Sequence, residues 1–495
     1  MCSGKGGAFM KALTIITQLL LALPLLALVV NNAIPREKMR YATIGMSTAV
    51  AGTQMLAALT GFVILAASGE HSFSFSLAFD LAKGLGYFRV DLVTLFLLAC
   101  VGMVSVASTL NALTTIDDHR CSFTNLLMVM MLGMNGMLIV HDLFSLYVFM
   151  EVTGLASFVM IGMYKSTRDL EGAFKYMTLS ALATIFILTG LSLLFLKAGS
   201  LSFTALTPAL FTGDGDPKTL LCWVALVLLA SGYAIKSGVA PFHSWLPDAY
   251  ESADTAVSIM LSGIVTKIAG VYSLIVLVRL FPGNAALQTT LLVLGLFTIV
   301  VGALLALQQK SFKRVAAYSS VSQMGYLLLG LAADTRLGLI AALLYLLTHS
   351  LAKSALFANA AALEQRLGTL DIDEMGGLQA KMPVTAFSSV AALLSIAGVP
   401  PLAGFWSKLL VLIALWSAGL RGVAAAALLL SILSGAYFLR LQKKVFFGKL
   451  KERWNDVLEI TGGIKVSELL LTIGTIGVGL GFPLVLMYLA QAGLV

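Results

Sequence analysis

Apolar stretches long enough to cross a lipid bilayer recur from one end of this chain to the other, and that repetition leaves one class of fold open. The hydrocarbon layer is about 30 Å thick and a helix rises 1.5 Å per residue, so a crossing takes about 20 apolar residues. In lipid, a backbone amide finds no water, so each stretch must satisfy its own hydrogen bonds as a helix. Hydropathy places about fourteen such spans, centred near residues 21, 55, 102, 131, 153, 184, 230, 266, 296, 322, 350, 400, 432 and 478. Composition agrees: 59% of residues are apolar and 11% charged, where a soluble chain carries roughly 25% charge. The expected fold is an all-α polytopic membrane protein, with residues 1–495 forming a single transmembrane domain. Residues 68–90 alternate polar and apolar side chains (His71-Ser-Phe-Ser-Phe-Ser-Leu), which predicts a short β-hairpin outside the bilayer.

Charge then sets orientation. The net charge of +8 would suit nucleic acid if it were concentrated, but the basic residues sit singly or in short clusters between apolar runs. Lys5 and Lys11 before the run from Ala12 to Val30 imitate a signal peptide, yet that run is long and no small-x-small site follows it, so an uncleaved first helix is expected. Of the loop Lys and Arg, about 18 lie on one face and about 9 on the other. The richer set includes Arg36, Lys38, Arg40, Lys165, Arg168, Lys310, Lys313, Arg314 and the cluster from Arg440 to Lys465. The positive-inside rule makes that face cytoplasmic and puts both termini outside.

Cys2, Cys100, Cys121 and Cys222 are scattered without paired spacing, and His71, His119, His141, His243 and His349 are equally dispersed. No disulfide framework, metal site or haem pair is expected from them, no cofactor is called for, and no Gly-rich dinucleotide loop follows a strand.

The remaining charged groups fall where lipid should be. Lys175, Lys236, Lys267, Lys353 and Lys408 lie within spans, as do Glu151 and His349. A Lys at a helix centre costs roughly 2.5–3.5 kcal/mol on insertion scales. One such residue can be a snorkelling side chain or half of a structural pair; a series of them in successive spans points to an ion path. Two lysines stand beside helix breaks: Lys236-Ser-Gly-Val-Ala-Pro241, and Pro400-Pro401-Leu-Ala-Gly-Phe-Trp-Ser-Lys408. Proline lacks an N–H and clashes with the carbonyl four residues back, so it interrupts a helix. Broken helices in corresponding positions of two halves are the mark of inverted repeats with a mid-membrane site, although proline kinks can also serve packing alone. Ser319, Ser322, Gln323 and Tyr326 share one helical face, Tyr345, His349 and Lys353 recur every fourth residue, and Thr255, Ser258, Ser262 and Thr266 lead to Lys267. Such stripes either wet a path or glue helices together.

Several of these stretches together resemble a known family. They are Phe174-Lys-Tyr, Lys236…Pro241-Phe-His-Ser-Trp-Leu-Pro-Asp248, Val257-Ser-Ile-Met-Leu-Ser-Gly…Thr266-Lys267, Ala317-Tyr-Ser-Ser-Val-Ser-Gln-Met-Gly-Tyr326 and Pro400-Pro-Leu-Ala-Gly-Phe-Trp-Ser-Lys408. They are similar to the antiporter-like subunits of respiratory complex I, Mrp sodium/proton antiporters and membrane-bound hydrogenases. The resemblance implies fourteen helices with two inverted five-helix repeats, approximately residues 122–280 and 286–447, and breaks in helices 7 and 12. It implies that Glu151 pairs with Lys236, that Lys267 is a relay lysine, that His349 bridges two half-channels with Lys353 on the same helix, and that Lys408 stands near the second half-channel. The Gly-Phe-Trp-Ser-Lys408 segment and the His349…Lys353-x-x-Leu-Phe helix look most like the Mrp D-type subunit and the corresponding membrane-bound hydrogenase subunit, with complex I also open. The sequence ends soon after the last apolar stretch, where complex I's most distal pumping subunit carries a long lateral helix.

The resulting expectation is a proton- or sodium/proton-translocating subunit, working with other membrane subunits in a prokaryotic cell membrane and without nucleic acid. Any redox chemistry would lie in those companions. A stand-alone transporter of an organic solute is the alternative, and a structural scaffold a third.

Overall fold

The computed structural model describes residues 3–33, 39–70, 72–76, 87–210 and 219–491. It begins with helices α1 (Ser3–Ala33) and α2 (Met39–Ser68), strands β1 (Ser72–Ser76) and β2 (Tyr87–Asp91), and helices α3 (Leu92–Thr115), α4 (Arg120–Ile139), α5 (Leu143–Ile161) and α6 (Thr167–Ala198). There follow α7 (Phe203–Leu210), α8 (Leu220–Ser237), α9 (Trp245–Ser252), α10 (Thr255–Met260), α11 (Ser273–Leu280), α12 (Ala285–Gln308), α13 (Phe312–Ala332) and α14 (Arg336–Leu367). The chain closes with α15 (Pro383–Ala397), α16 (Ala403–Ser417), α17 (Arg421–Val445), α18 (Gly463–Leu480) and α19 (Phe482–Gln491).

Among the described residues, thirteen helical segments are long and apolar enough to cross a bilayer. The further crossing expected near residue 400 is divided between the shorter apolar helices α15 and α16. The expected hairpin is present: β1 and β2 pair antiparallel with Phe73 opposite Val90, and Phe75 stacks on Phe88 at 5.3 Å. His71 and Leu77, part of that expectation, lie outside the described residues.

Burial divides the helices into an interior and a wall. The segment from Thr255 to Leu280, α13 and α14 are buried on nearly every side, whereas α1, α2 and α17 turn most of their surface outward. A helix that is apolar all round and enclosed by others belongs to the middle of a bundle. α14 occupies that middle, packing on α13, α15, α16 and α18 as well as on α10.

The two breaks have one construction. Gly238 has φ +66° and Gly398 φ +88°. Val239 N–H donates to the Ala234 carbonyl (3.2 Å) and Gly238 N–H to Ile235 (3.1 Å); Val399 N–H donates to Leu394 (3.0 Å) and Gly398 N–H to Ser395 (3.0 Å). This is the paired bonding of a Schellman cap, which needs a left-handed residue that glycine alone adopts at little cost. The sequence points to proline at the first break and to the double proline with glycine at the second. The glycine terminates each helix, and Pro241, Pro400 and Pro401 keep it from resuming.

A second correspondence involves the loops. α6 and α14 each run 32 residues to a left-handed glycine, Gly199 or Gly368. After α6, Leu143 N–H donates to Leu201 O (3.0 Å) and Phe203 N–H to His141 O (3.3 Å). After α14, Phe312 N–H donates to Leu370 O (2.9 Å) and Ile372 N–H to Lys310 O (2.8 Å). The same isolated bridge thus fastens Asp142 to Ser202 and Ser311 to Asp371.

The segment between α10 and α11 is wound as π-helix over Leu261–Val265 and Lys267–Tyr272. Wide turns of this kind concentrate at functional sites because they re-aim side chains and free carbonyls. The sequence reading treated this span as regular helix. Gly270 packs the second wide turn against the first break, since a Cβ there would stand 2.4 Å from Ser237 Cα.

Candidate functional site

Three helices assemble the first cluster. Lys236, in the last turn of α8, is 4% exposed. Its Nζ donates to Glu151 Oε1 of α5 (3.0 Å) and to Ser180 Oγ of α6 (2.7 Å). Thr184 Oγ1, one turn along α6, also donates to Glu151 Oε1 (2.8 Å). The end of a helix favours a cation through its aligned carbonyl dipoles. Glu151 keeps about a third of its side-chain surface exposed (32%), so the pair reaches from the interior toward the edge of the bundle.

The next lysine has a different setting. Lys267 opens the second π turn and is fully enclosed. It donates to the Ser262 carbonyl and to Thr266 Oγ1 (3.2 Å). The lysine-bearing stretch packs directly on α14, where Ser354 Oγ donates to Ile259 O (3.5 Å). The expected Thr255-to-Thr266 stripe divides here: Thr266 serves Lys267 and Tyr250, while Thr255 donates to Glu364 (2.9 Å).

On α14, Lys353 donates to Ser319 Oγ and to the Ala316 carbonyl (2.9 Å) of α13. Tyr345 donates to Gln323 Oε1, and Gln323 Nε2 donates in turn to Tyr437 Oη (2.9 Å) and Ser434 Oγ (3.2 Å) of α17. Between them His349 is 2% exposed, and neither ring nitrogen has a hydrogen-bonding partner among the described residues. It faces a cavity of about 10 Å³ lined also by Tyr345, Thr348, Ser395, Gly404 and Ser407. That is about the room one water occupies, and a water is what a buried imidazole needs there. Of the predicted polar face of α13, Ser319, Gln323 and Tyr326 turn inward, while Ser322 donates to the Ile299 carbonyl of α12 (3.1 Å).

Lys408 stands on α16 just beyond the second break. Its Nζ donates to the Ala397 carbonyl (3.1 Å) and lies 4.7 Å from the centre of the Tyr326 ring. A Cβ on Gly398 would come 2.9 Å from its Cδ, so the glycine that ends α15 also makes room for the lysine stem. The neighbouring Ser407 hydroxyl is 3.2 Å from Thr348 Oγ1 on α14.

Lys175, which the sequence places within a span without as clear a role as the other lysines, is not enclosed as they are. It sits near the start of α6 with 42% of its side chain exposed, and it pairs with Glu171 (2.6 Å) and Asp248 (2.7 Å). Arg314 binds the same Asp248 (3.0 Å) and Glu251 (2.8 Å), completing an ion-pair network. At 32 residues α6 is about 48 Å long, more than the apolar layer is thick, and Lys175 lies in its third turn.

The sequence reading missed Ser180, which carried no signal of its own, and Glu468. Glu468 is fully buried and was legible as the single acid in the apolar run Gly463–Leu480. No group of three or more His, Cys, Asp or Glu able to hold a metal occurs among the described residues. Lysine, histidine, carboxyl and hydroxyl groups thus gather on successive packed helices from α5 to α16, and groups of these kinds can exchange protons where they meet.

A family model described as NADH:quinone oxidoreductase/Mrp antiporter, TM, matches residues 140–434. NADH-quinone oxidoreductase subunit N of Parvibaculum lavamentivorans is 32% identical over 390 residues, covering 77% of this chain and 80% of that protein. The D-type subunit of the Na(+)/H(+) antiporter of Alkalihalophilus pseudofirmus is 30% identical over 389 residues, 77% of either chain. Among solved structures, a chain of the Mrp complex from Dietzia sp. DQ12-45-1b superposes with a TM-score of 0.86 at 25% identity, covering 97% of both chains. A chain of the membrane-bound sulfane sulfur reductase, an archaeal respiratory membrane complex, superposes equally well at 26% identity. On these matches, the chain belongs to the NADH:quinone oxidoreductase/Mrp antiporter transmembrane family, the antiporter-like subunits.

Proposed function

We propose that this chain is the proton-translocating (or sodium/proton-exchanging) subunit of a multisubunit energy-converting complex, working through Glu151, Lys236, Lys267, His349, Lys353 and Lys408. The observation that carries the reading is the recurrence of buried titratable groups, each with hydroxyl, carbonyl or carboxylate partners or beside a water-sized cavity, on successive packed helices from the Glu151–Lys236 pair to Lys408. Burying four lysines in an apolar bundle costs several kcal/mol each on its own, so a role that needs them there is favoured over a scaffold. The cavity beside His349, about 10 Å³, is too small for an organic solute, which weighs against a stand-alone solute transporter.

The chain is read as two five-helix repeats, residues 122–280 and 286–447. The matched Schellman breaks and the matched bridges after α6 and α14 support this division. Aligning Gly199 on Gly368 places Ser180 opposite His349 and Thr184 opposite Lys353. Hydroxyls that serve the ion pair in one half thus stand where histidine and lysine stand in the other. The basic-rich loops are placed in the cytoplasm and the protein in a prokaryotic cell membrane.

The companion proteins decide the branch, because subunits of both a quinone oxidoreductase and an antiporter are similar to the chain. Mass spectrometry of the gently solubilised complex identifies them. Proton uptake into vesicles containing that complex, compared with a Lys236→Met complex, tests the function. Unchanged uptake in the variant would refute it.

A further inference from the structure

We propose that Glu468 is a further proton-carrying group of this chain, loaded from the basic-loop face through Thr385 and Glu459. The proposal rests on the translocating role argued above.

Glu468 lies in the second turn of α18, fully buried where that helix packs on α3, α14 and α15. Among the described residues no Lys, Arg or His nitrogen comes within 4.0 Å of it. Glu459, in the loop before α18, is half-buried and is held by two backbone amides, Val384 N–H on Oε2 (2.6 Å) and Ile460 N–H on Oε1 (3.0 Å). Between the two carboxyls stands one hydroxyl: Thr385 Oγ1 is 2.9 Å from Glu459 Oε1 and 3.2 Å from Glu468 Oε2.

A hydroxyl has a single proton to donate. Glu459, fixed by two amides at the N-terminus of α15, is set up as an ionised acceptor and takes it. Glu468 Oε2 then faces a lone pair, and the contact is a bond only if Glu468 supplies the proton. The alternative, two ionised carboxylates sharing one hydroxyl, with no cation in contact with the buried one and Lys465 acting on it only from three residues earlier on α18, carries the cost of a poorly compensated charge in an apolar interior. Glu468 is therefore a carboxylic acid bonded to Thr385.

The far oxygen of Glu468 connects inward. With the Asn359 amide turned to satisfy all its neighbours, its nitrogen donates to Glu468 Oε1 (2.8 Å) and Ser388 Oγ (3.0 Å), and its oxygen accepts from Ser389 N–H (3.1 Å). Asn359 shares a face of α14 with Thr348, three turns away, whose hydroxyl meets Ser407 next to Lys408. The carboxyl thus stands between a half-exposed acid and the Lys408 end of the buried line.

The step balances without any other reactant. Glu468 Oε2 gives its proton to Thr385 Oγ1 as the Thr385 proton passes to Glu459 Oε1, leaving Glu468 ionised and Glu459 protonated. The reverse order loads Glu468 from the loop face.

The test uses the assembled complex, with subunit composition checked on a native gel. Infrared spectra in H2O and D2O should show a deuterium-sensitive carboxylic acid carbonyl band that is missing from Glu468→Gln. Proton uptake into vesicles should fall about tenfold or more in Glu468→Gln and Thr385→Val, and Thr385→Ser, which keeps the hydroxyl, should restore it. Absence of the band in wild type, or full uptake by assembled Glu468→Gln, overturns the proposal. Lys236→Met separates the two readings. If it is inactive while Glu468→Gln is fully active, the loading role falls and the translocating subunit stands.

Discussion

The ammonium of Lys236 is paired with the carboxylate of Glu151 at 3.0 Å, whereas Lys267, Lys353 and Lys408 have no carboxylate within 4.0 Å among the described residues. The line therefore holds lysines in two electrostatic conditions. A proton leaving Lys236 uncovers a negative charge on Glu151, while a proton arriving at any of the other three adds a positive charge held only by hydroxyls, carbonyls and a ring face. In the relay proposed above, the charge state of one group would change what is favourable at its neighbour.

The first prediction follows from that pair. Removing one partner strands the other, at a typical cost of about 3–5 kcal/mol for buried pairs, less here because Glu151 is part-exposed. Glu151→Ala and Lys236→Ala should each cut proton uptake by about tenfold or more. Lys236→Arg retains the charge but does not readily release a proton, so it should assemble and still transport poorly. Near-normal uptake by Lys236→Arg would make this lysine a fixed charge and not a proton carrier.

Lys175 gives the contrasting prediction. Its ammonium lies in a part-exposed network with Glu171 and Asp248, where solvent screens the pairing. Lys175→Met should alter uptake by less than about fivefold, the factor corresponding to the upper range for an exposed ion pair. A loss as deep as that of Lys236→Ala would give Lys175 a part in transport.

How much of this was legible in the sequence depends on the kind of signal. Insertion cost marks Lys236, Lys267, Lys353 and Lys408 directly, because a charge in an apolar run stands out without knowledge of its partners. Ser180 and Thr184 gave no such mark: a hydroxyl in a membrane helix is common, and only the packing of α6 on α8 turns these two toward Lys236. The π turns around Lys267 pack against Ser237 and α14, and no local period in the sequence records them. Glu468 was readable by the rule that exposed the lysines, and its setting between Thr385 and Asn359 was not. The helix ends were half readable. Gly238-Val-Ala-Pro241 and Gly398-Val-Pro400-Pro401 announce a stop, but the cap belongs to the glycine.

Orientation yields a third prediction. With the basic-rich loops in the cytoplasm, a tag at the C-terminus should be reachable from outside intact cells. A cysteine introduced near Lys449, in the loop before α18, should react with an impermeant reagent only after permeabilisation. Labelling of both sites from the same side would mean that the number of crossings between them is even.

The glycine at the second break makes a fourth prediction, with an internal control. Gly398 (φ +88°) and Gly419 (φ +80°) both occupy left-handed positions, where a Cβ costs roughly 1–2 kcal/mol. At Gly419 the new methyl meets nothing within 4 Å, but at Gly398 it meets Lys408 Cδ at 2.9 Å. Both alanine variants should lower the midpoint of thermal unfolding of the purified complex by similar amounts. Gly398→Ala alone should also slow proton uptake, because the lysine stem must move. Equal uptake in the two variants would show that the position of Lys408 tolerates the shift.

Lys408 itself separates transport from assembly most clearly. Its ammonium has one carbonyl, from Ala397 at the break, and the face of Tyr326; its stem runs past Gly398. A cation over an aromatic face gains about 2 kcal/mol or more when desolvated, which offsets part of the cost of its burial. A neutral amine gains little from the ring and can still use the carbonyl, so the site supports both protonation states. Lys408→Met retains most of the side-chain volume beside Gly398 and removes a few kcal/mol of insertion cost. If the lysine only supports structure, the variant complex should be at least as stable and fully active. If it relays protons, the complex should assemble in normal stoichiometry while its driving reaction slows or runs without proton movement. Proton uptake in vesicles, measured beside subunit stoichiometry on a native gel, distinguishes the two. Full uptake by an assembled Lys408→Met complex would remove this residue from the path.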